Sequence, residues 1–189
     1  MMHRIMEQPV AAREILQLGN PKLLEVCEPV AQDELDFARS VAADLRDTKN
    51  AFRAQYGWGR AIAAPQIGVL KQIVFMEAVP GNPVVFINPE MSEESVEMMA
   101  SWDHCMSFPD LLVQVKRHRS CLVSYLDAEW RSRTMPAEGE LAELLQHELD
   151  HLSGIVATMR VIDGSRFALQ SQKELLGEGM FARQDFIEE

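Results

Sequence analysis

Between Asp33 and Phe52 the apolar positions Leu35, Phe37, Val41, Leu45 and Phe52 recur at helical spacing. With Asp33 placed to cap the first turn, this period predicts an amphipathic helix over 33–52. Gly57, Gly59, Pro65 and Gly68 then interrupt the pattern and predict a loop-rich stretch. Beyond it the chain turns to short apolar runs: QIVFM at 72–76, VVFIN at 84–88, LLVQV at 111–115 and CLVSYLD at 121–127. Turn residues separate them, notably Pro80, Gly81, Asn82 and Pro83, and then Asn88 and Pro89, so each run is expected to be a strand. Helical period returns over 139–152, with Gly154 as its stop. A last helix is expected over 164–176, ended by Gly177 and Gly179. A helix, several short strands and then two helices predict an α+β fold rather than an alternating parallel sheet.

Composition narrows the setting. The 189 residues suit one domain, so 1–189 is read as a single unit, with about 165–189 as its C-terminal helix and tail. Apolar residues make up 47% of the chain, enough for a packed core. The net charge of −11 argues against a nucleic-acid partner or an anionic membrane surface. One basic stretch, Lys116 to Arg119, is read as a solvated strand end. No apolar run approaches the roughly 18 residues of a membrane span, and the N-terminal stretch lacks the apolar core of a signal peptide. Three widely spaced cysteines, Cys27, Cys105 and Cys121, do not suggest a disulfide framework, and a cytoplasmic location is expected.

The second helical stretch carries the chemistry. In QHELDH, His147 and His151 stand four apart and so share one helix face, with Glu148 beside them. This is the H-E-x-x-H pattern: two imidazole ligands for one ion and a general base for a water on that ion. Leu141, Leu145, Leu149 and Leu152 form an apolar stripe and Leu144 lies on the histidine side. Glu143, Gln146 and Asp150 remain for a polar stripe. A helix apolar on most sides is packed inside other structure, so the expected fold is short, mostly antiparallel strands around a central buried helix carrying HELDH. Such a site needs a third protein ligand. The candidates are Glu174 or Glu178 downstream, or Cys105 upstream in SWDHCMSFPD, whose polar flanks Asp103, His104 and Ser107 wrap a core cysteine poorly.

Three stretches in chain order, GRAIAAPQIG (59–68), DHCMS (103–107) and QHELDH (146–151), resemble the three motifs of the peptide deformylase family, G-x-G-x-A-A-x-Q-x-G, E-G-C-x-S and Q-H-E-x-D-H. ILQLGNPKLLEVCEPV (15–30) and FINPEM (86–91) are also similar to family segments, and the likeness covers about the first 165 residues. The resemblance implies an α+β metallohydrolase that removes the formyl group from N-formylmethionyl peptides of newly made proteins. It implies one divalent metal held by Cys105, His147 and His151: Fe(II) in the cell, with Zn, Ni or Co possible in a purified sample. Glu148 would be general base and acid, and the Gln66 amide and the Met106 backbone N–H would stabilise the oxyanion. The substrate would lie extended near Gly59, Ala61, Ile62 and Ala63, with His104 beside it. Asp150 or Asp103 is expected to orient a ligand histidine, with a solvated helix position as the alternative for Asp150.

The chain departs from the family pattern at three places. Ala61 stands where the motif has its second glycine, Asp103-His104 replaces Glu-Gly, and Met106 follows the cysteine. Ala61 would cost stability if that position required positive φ. Asp103 is expected to pair with Arg117, and a surface pair would contribute little. His104 is expected to narrow the substrate groove, or else to be partly exposed without a role. All these changes fall beside the metal ligands rather than on them. They leave open a restricted or different formyl or acyl-amide substrate, or a non-catalytic module that binds N-terminal peptides. Cys27 and Cys121, in apolar runs, are expected to be core thiols. Met98, Met99 and Met106 either line a pocket or fill the core. Trp58, Trp102 and Trp130 flank loops, and the tail GEGMFARQDFIEE either frays or docks on the body.

Overall fold

A computed structural model describes residues 12–176 and the backbone of 184–186. Among these residues are two α-helices and nine strands, and the strands form two antiparallel sheets. Helix α1 runs Leu35–Tyr56 and stops at Gly57, whose left-handed backbone (φ 79°) closes the last turn. Strands β1 (Ala61–Ala63), β2 (Ile73–Met76) and β3 (Val84–Ser92) follow. Then come β4 (Met98–His104), β5 (Leu111–His118), β6 (Ser120–Leu126) and β7 (Ser132–Glu138). Helix α2 spans Glu140–Leu152, and β8 (Phe167–Leu169) and β9 (Gln184–Phe186) complete the order. The first sheet runs β1-β2-β3-β6-β7 and the second β8-β5-β4-β9.

The first sheet is covered on both faces. Ile73 and Phe75 of β2 pack with Ile62 against Ala38, Val41, Leu45 and Phe52 of α1. Their neighbours Val74 and Met76 turn the other way and pack with Phe86, Cys121 and Val123 against Ala142, Leu145 and Leu152 of α2. A strand buried on both faces is written as an unbroken apolar run, here IVFM. Helix α2 is therefore the buried central element, carrying HELDH between the two sheets.

All four expected strands are present, with β3 and β5 running on to Ser92 and His118. Four elements carried no clear pattern. Strand β4 places Asp103 on a buried position, β7 is a polar edge strand whose one buried side chain is Ala137, and β1 and β8 have three residues each. The last helical segment is present but begins later and is tighter than an α-helix. Phe167–Leu169 pair with β5, and only Gln170–Leu176 coil, as a 3-10 helix. Gly177, Gly179 and the tail beyond fall outside the described residues, apart from β9, which pairs with β4.

The basic stretch at 116–119 is not a solvated strand end. Arg117 is buried at 3% exposure, because β5 alternation puts it on the same face as Val113 and Val115. Cys27 and Cys121 are core thiols, and burial pushes Cys27 up to about 11. Met99 is fully buried, whereas the Met106 side chain lies directly over Gly59.

Candidate metal centre

Helix α2 begins after Gly139, which turns the chain with φ 60°. Its polar side chains are satisfied inside the protein rather than in water. Gln146 accepts from the His118 backbone N–H at 2.9 Å and donates to the His118 carbonyl at 2.8 Å. It thus joins α2 to the end of β5 as a strand neighbour would. This fixes the helix so that His147 and His151 face the segment leaving β4, where Cys105 follows His104 directly.

The three expected ligands converge. Cys105 Sγ lies 3.3 Å from His151 Nε2, which lies 3.2 Å from His147 Nε2. All three donor atoms fall within 4.8 Å of one another, on side chains that are 5% exposed or less. His147 Nδ1 donates to Asp103 at 2.8 Å, which turns Nε2 toward its two neighbours, where its lone pair would serve an ion once the ring's second proton is displaced. Three electron-pair donors directed at one buried point fit a cation such as zinc or ferrous iron. Burial disfavours the charged His147 ring, yet Asp103 and Cys105 outweigh it and hold its pKa well above the usual range. A metal ion on Nε2 would take the place of that ring proton. His151, pressed well below the usual range by burial and by His147, stays neutral and able to ligate.

Beside these ligands, Glu148 is 3% exposed and its Oε2 has no hydrogen-bond partner among the described residues. Burial, with Asp103 and Glu143 adding to it, pushes Glu148 up to about 7, although His147 and Arg117 oppose the shift. A carboxyl poised near neutrality can both take and return a proton. Gln66, 1% exposed, accepts from the Ala63 backbone N–H at 2.9 Å and directs its amide nitrogen at Cys105 Sγ (3.5 Å) and Ser107 Oγ (3.2 Å).

A cleft of about 430 Å³ opens onto this group, lined among others by Gly59, Ala61, Gln66, His104, Met106, His147 and Glu148. Of the other residues expected near substrate, Ile62 and Ala63 are fully buried within the core and are not cleft-lining. Ala61 has ordinary strand geometry, so its methyl carries no backbone strain. Gly59 is the constrained position. At φ 122°, a Cβ there would meet Met106 Cε at 2.7 Å. His104 lines the cleft edge-on to Trp58, with ring centroids 5.3 Å apart. Burial, helped by Lys173, lowers its pKa to about 4, so the ring is neutral at pH 7. Trp102 lines the same cleft, and Trp130 packs on the α1 side of the core.

Between the two candidates for orienting a ligand histidine, Asp103 makes the contact. Its pair with Arg117 is not at the surface: the side chains are 2% and 4% exposed. Burial alone would raise the Asp103 pKa, but His147 and Arg117 hold it down to about 2. Asp150 is not a solvated helix position. It is buried and accepts from Arg117 and from Arg160, the second a residue that no sequence pattern singled out. The alternation of β5 was the available signal for Arg117. Glu174 is exposed and stands apart from the ligand group, and Glu178 lies outside the described residues.

The sequence model of the family described as polypeptide deformylase matches residues 12–167. Peptide deformylase 2 of Ralstonia nicotianae is 35% identical over 164 residues, covering 82% of this chain and 90% of that protein. The peptide deformylase of Rhizobium meliloti is 35% identical over 148 residues, 76% of this chain and 82% of its own. Among solved structures, the Synechococcus elongatus peptide deformylase in complex with actinonin superposes with a TM-score of 0.74 at 27% identity, covering 94% of this chain and 90% of that one. The Acinetobacter baumannii peptide deformylase with Met-Ala-Ser bound gives 0.71 at 29% identity, covering 79% and 99%.

Proposed function

The chain belongs to the polypeptide deformylase family, and on that premise we propose that it is a metal-dependent amide hydrolase removing the N-formyl group from N-formylmethionyl peptides of newly made proteins. The observation that carries this reading is the convergence of Cys105 Sγ, His147 Nε2 and His151 Nε2 beside the buried Glu148 carboxylate, whose Oε2 has no hydrogen-bond partner among the described residues. In this reading those three residues hold one divalent ion, Fe(II) in the cell. A thiolate with two imidazoles suits iron, zinc, nickel and cobalt alike, so a purified sample can carry any of them. When bound, the ion supplies Lewis acidity, which makes water a nucleophile near neutral pH.

The remaining steps belong to the protein. Glu148 takes the proton of the attacking water on its free carboxylate oxygen and returns it to the leaving amine as the C–N bond breaks, yielding formate and a free N-terminus. The Gln66 amide and the Met106 backbone N–H donate to the oxygen on which charge develops, each such donor contributing about 3 kcal/mol. A module that only bound peptides would have no use for Glu148 with its pKa near 7. β1 ends its sheet, and Ala61 on it lines the cleft, which supports a substrate laid extended beside Gly59 to Ala63. The peptide in the Acinetobacter baumannii relative supports the same class of partner. His104 and Trp58 would form the wall of that groove. We take the whole chain as one domain of this type. We place it in the cytoplasm, supported by three unpaired buried cysteines. No helix among the described residues is long and apolar enough to cross a membrane.

Formate release from formyl-Met-Ala-Ser by protein loaded with Ni(II), or with Fe(II) without air, tests the assignment. Turnover that disappears in Glu148→Ala while the metal stays bound supports it. Equal turnover in both proteins, or none in either, removes it.

A further inference from the structure

The ligand His147 does not end at Asp103. Asp103 accepts from Arg117 Nη2 at 3.1 Å, and Arg117 Nη1 donates to Asp150. Asp150 in turn accepts from Arg160, through Nη2 at 2.8 Å and Nε at 3.3 Å. The chain His147–Asp103–Arg117–Asp150–Arg160 alternates acceptor and donor across three elements: the end of β4, β5 and α2, and then the turn Ala157–Arg160 that follows α2. Its inner members are buried, while the Arg160 side chain is 47% exposed. It ends in a second cavity of about 390 Å³ on the other side of α2 from the cleft, lined by Arg117, Asp150 and Arg160 among others.

Resting on the metal-site reading above, we propose that Arg160 is a positioning residue of the metal centre, acting on His147 through Asp150, Arg117 and Asp103. The physical case rests on competition for one guanidinium. Arg117 is shared between two buried carboxylates. With the Arg160 fork in place, Asp150 has a second cationic partner and Arg117 can hold Asp103 in register beneath the His147 ring. Without it, the full charge of Asp150 falls on Arg117, which is drawn toward α2. Asp103 is then less fixed, and so is the imidazole it orients. Asp150 also stands directly before His151, so the same fork fixes the rotation of the helix turn that presents both histidines. An ordinary half-exposed ion pair contributes little to stability. This one is placed to affect ligand geometry, where partners behind the ligands commonly change metal affinity 10- to 100-fold.

The test uses the full chain and Co(II), read by competition with a chelator and by the thiolate-to-cobalt absorption band. Arg160→Met is expected to weaken Co(II) binding about fivefold and shift the band, while the melting temperature of the metal-free protein holds. Arg160→Lys restores binding to within about twofold. In an Asp103→Asn background, itself weakened by about tenfold or more, Arg160→Met should add no further loss, because the path to His147 is already cut. Binding within twofold of the native protein in Arg160→Met would overturn the proposal, as would a loss that adds fully to that of Asp103→Asn. So would a lowered metal-free melting temperature that lysine does not rescue, which would mark a purely structural role. If the native protein takes up no Co(II) dependent on Cys105, the metal-site reading fails first and the proposal with it.

Discussion

Strands β2 and β4 are both short and largely buried, yet different forces hold them. Ile73, Val74, Phe75 and Met76 of β2 are all apolar and lie between two helices, so hydrophobic burial on both faces, added to the ladders with β1 and β3, fixes the strand. Strand β4 ends in Asp103 and His104, and its buried polar end is held by ionic hydrogen bonds to His147 and Arg117. Removing partners from such an arrangement leaves a charge in low dielectric, whereas trimming an apolar strand leaves only a cavity. The first sheet is thus a scaffold whose stability can be changed apart from the chemistry. The second carries part of the chemistry, and its stability and its function are harder to change separately.

Mutations can pull the two apart. The largest expected effect is Glu148→Ala, which should lower kcat/KM about a thousandfold with little change in unfolding midpoint, read by formate release and by calorimetry. Phe86→Ala, within the scaffold, should cost about 4 kcal/mol in urea unfolding while leaving metal affinity of the folded protein unchanged. Arg117→Met should cost about 3 kcal/mol, because Asp103 and Asp150 stay buried without their shared cation, and unlike Phe86→Ala it should also weaken the metal. A metal affinity unaltered by Arg117→Met would erase the distinction between the sheets.

The smallest effect is a gain. Burial, with Asp103 adding to it, raises Glu143 to about 7, so this carboxyl holds its proton more tightly folded than unfolded. Its contribution to stability is therefore present below the ordinary glutamate range and is lost as pH rises toward 7. Glu143→Gln should then stabilise the metal-free protein by about 1 kcal/mol at pH 8 and by almost nothing at pH 4, measured as paired thermal melts.

The same contrast decides what was legible in the sequence. Periodicity revealed α1, α2 and the strands β2, β3, β5 and β6, because apolar burial writes itself as pattern, while the short or polar strands β1, β4, β7 and β8 carried none. The ligands Cys105, His147 and His151 were legible as motifs, since metal chemistry restricts both residue type and spacing. Arg117 was read as solvated, and Asp150 as either a residue orienting a ligand histidine or a solvated helix position, because charges suggest water unless partners are known, and those partners lie 33 residues apart in the chain. Arg160 belongs to the same class: nothing local in ATMR announces a contact ten residues back. The shortened last helix has a similar cause, since pairing of Phe167–Leu169 with β5 overrides the local helical preference.

Pro136 gives the far edge of the first sheet a further meaning. It lies within β7, opposite Leu122, and has no N–H to offer a neighbouring chain. Around it Ser132, Arg133, Thr134 and Glu138 are exposed and polar. Crowded, freshly synthesised copies of this protein therefore find no ready template there for fibril-like growth. The sheet is blunted at that end against its own kind, while its opposite margin, the strand of Ala61, is an edge without a further strand among the described residues.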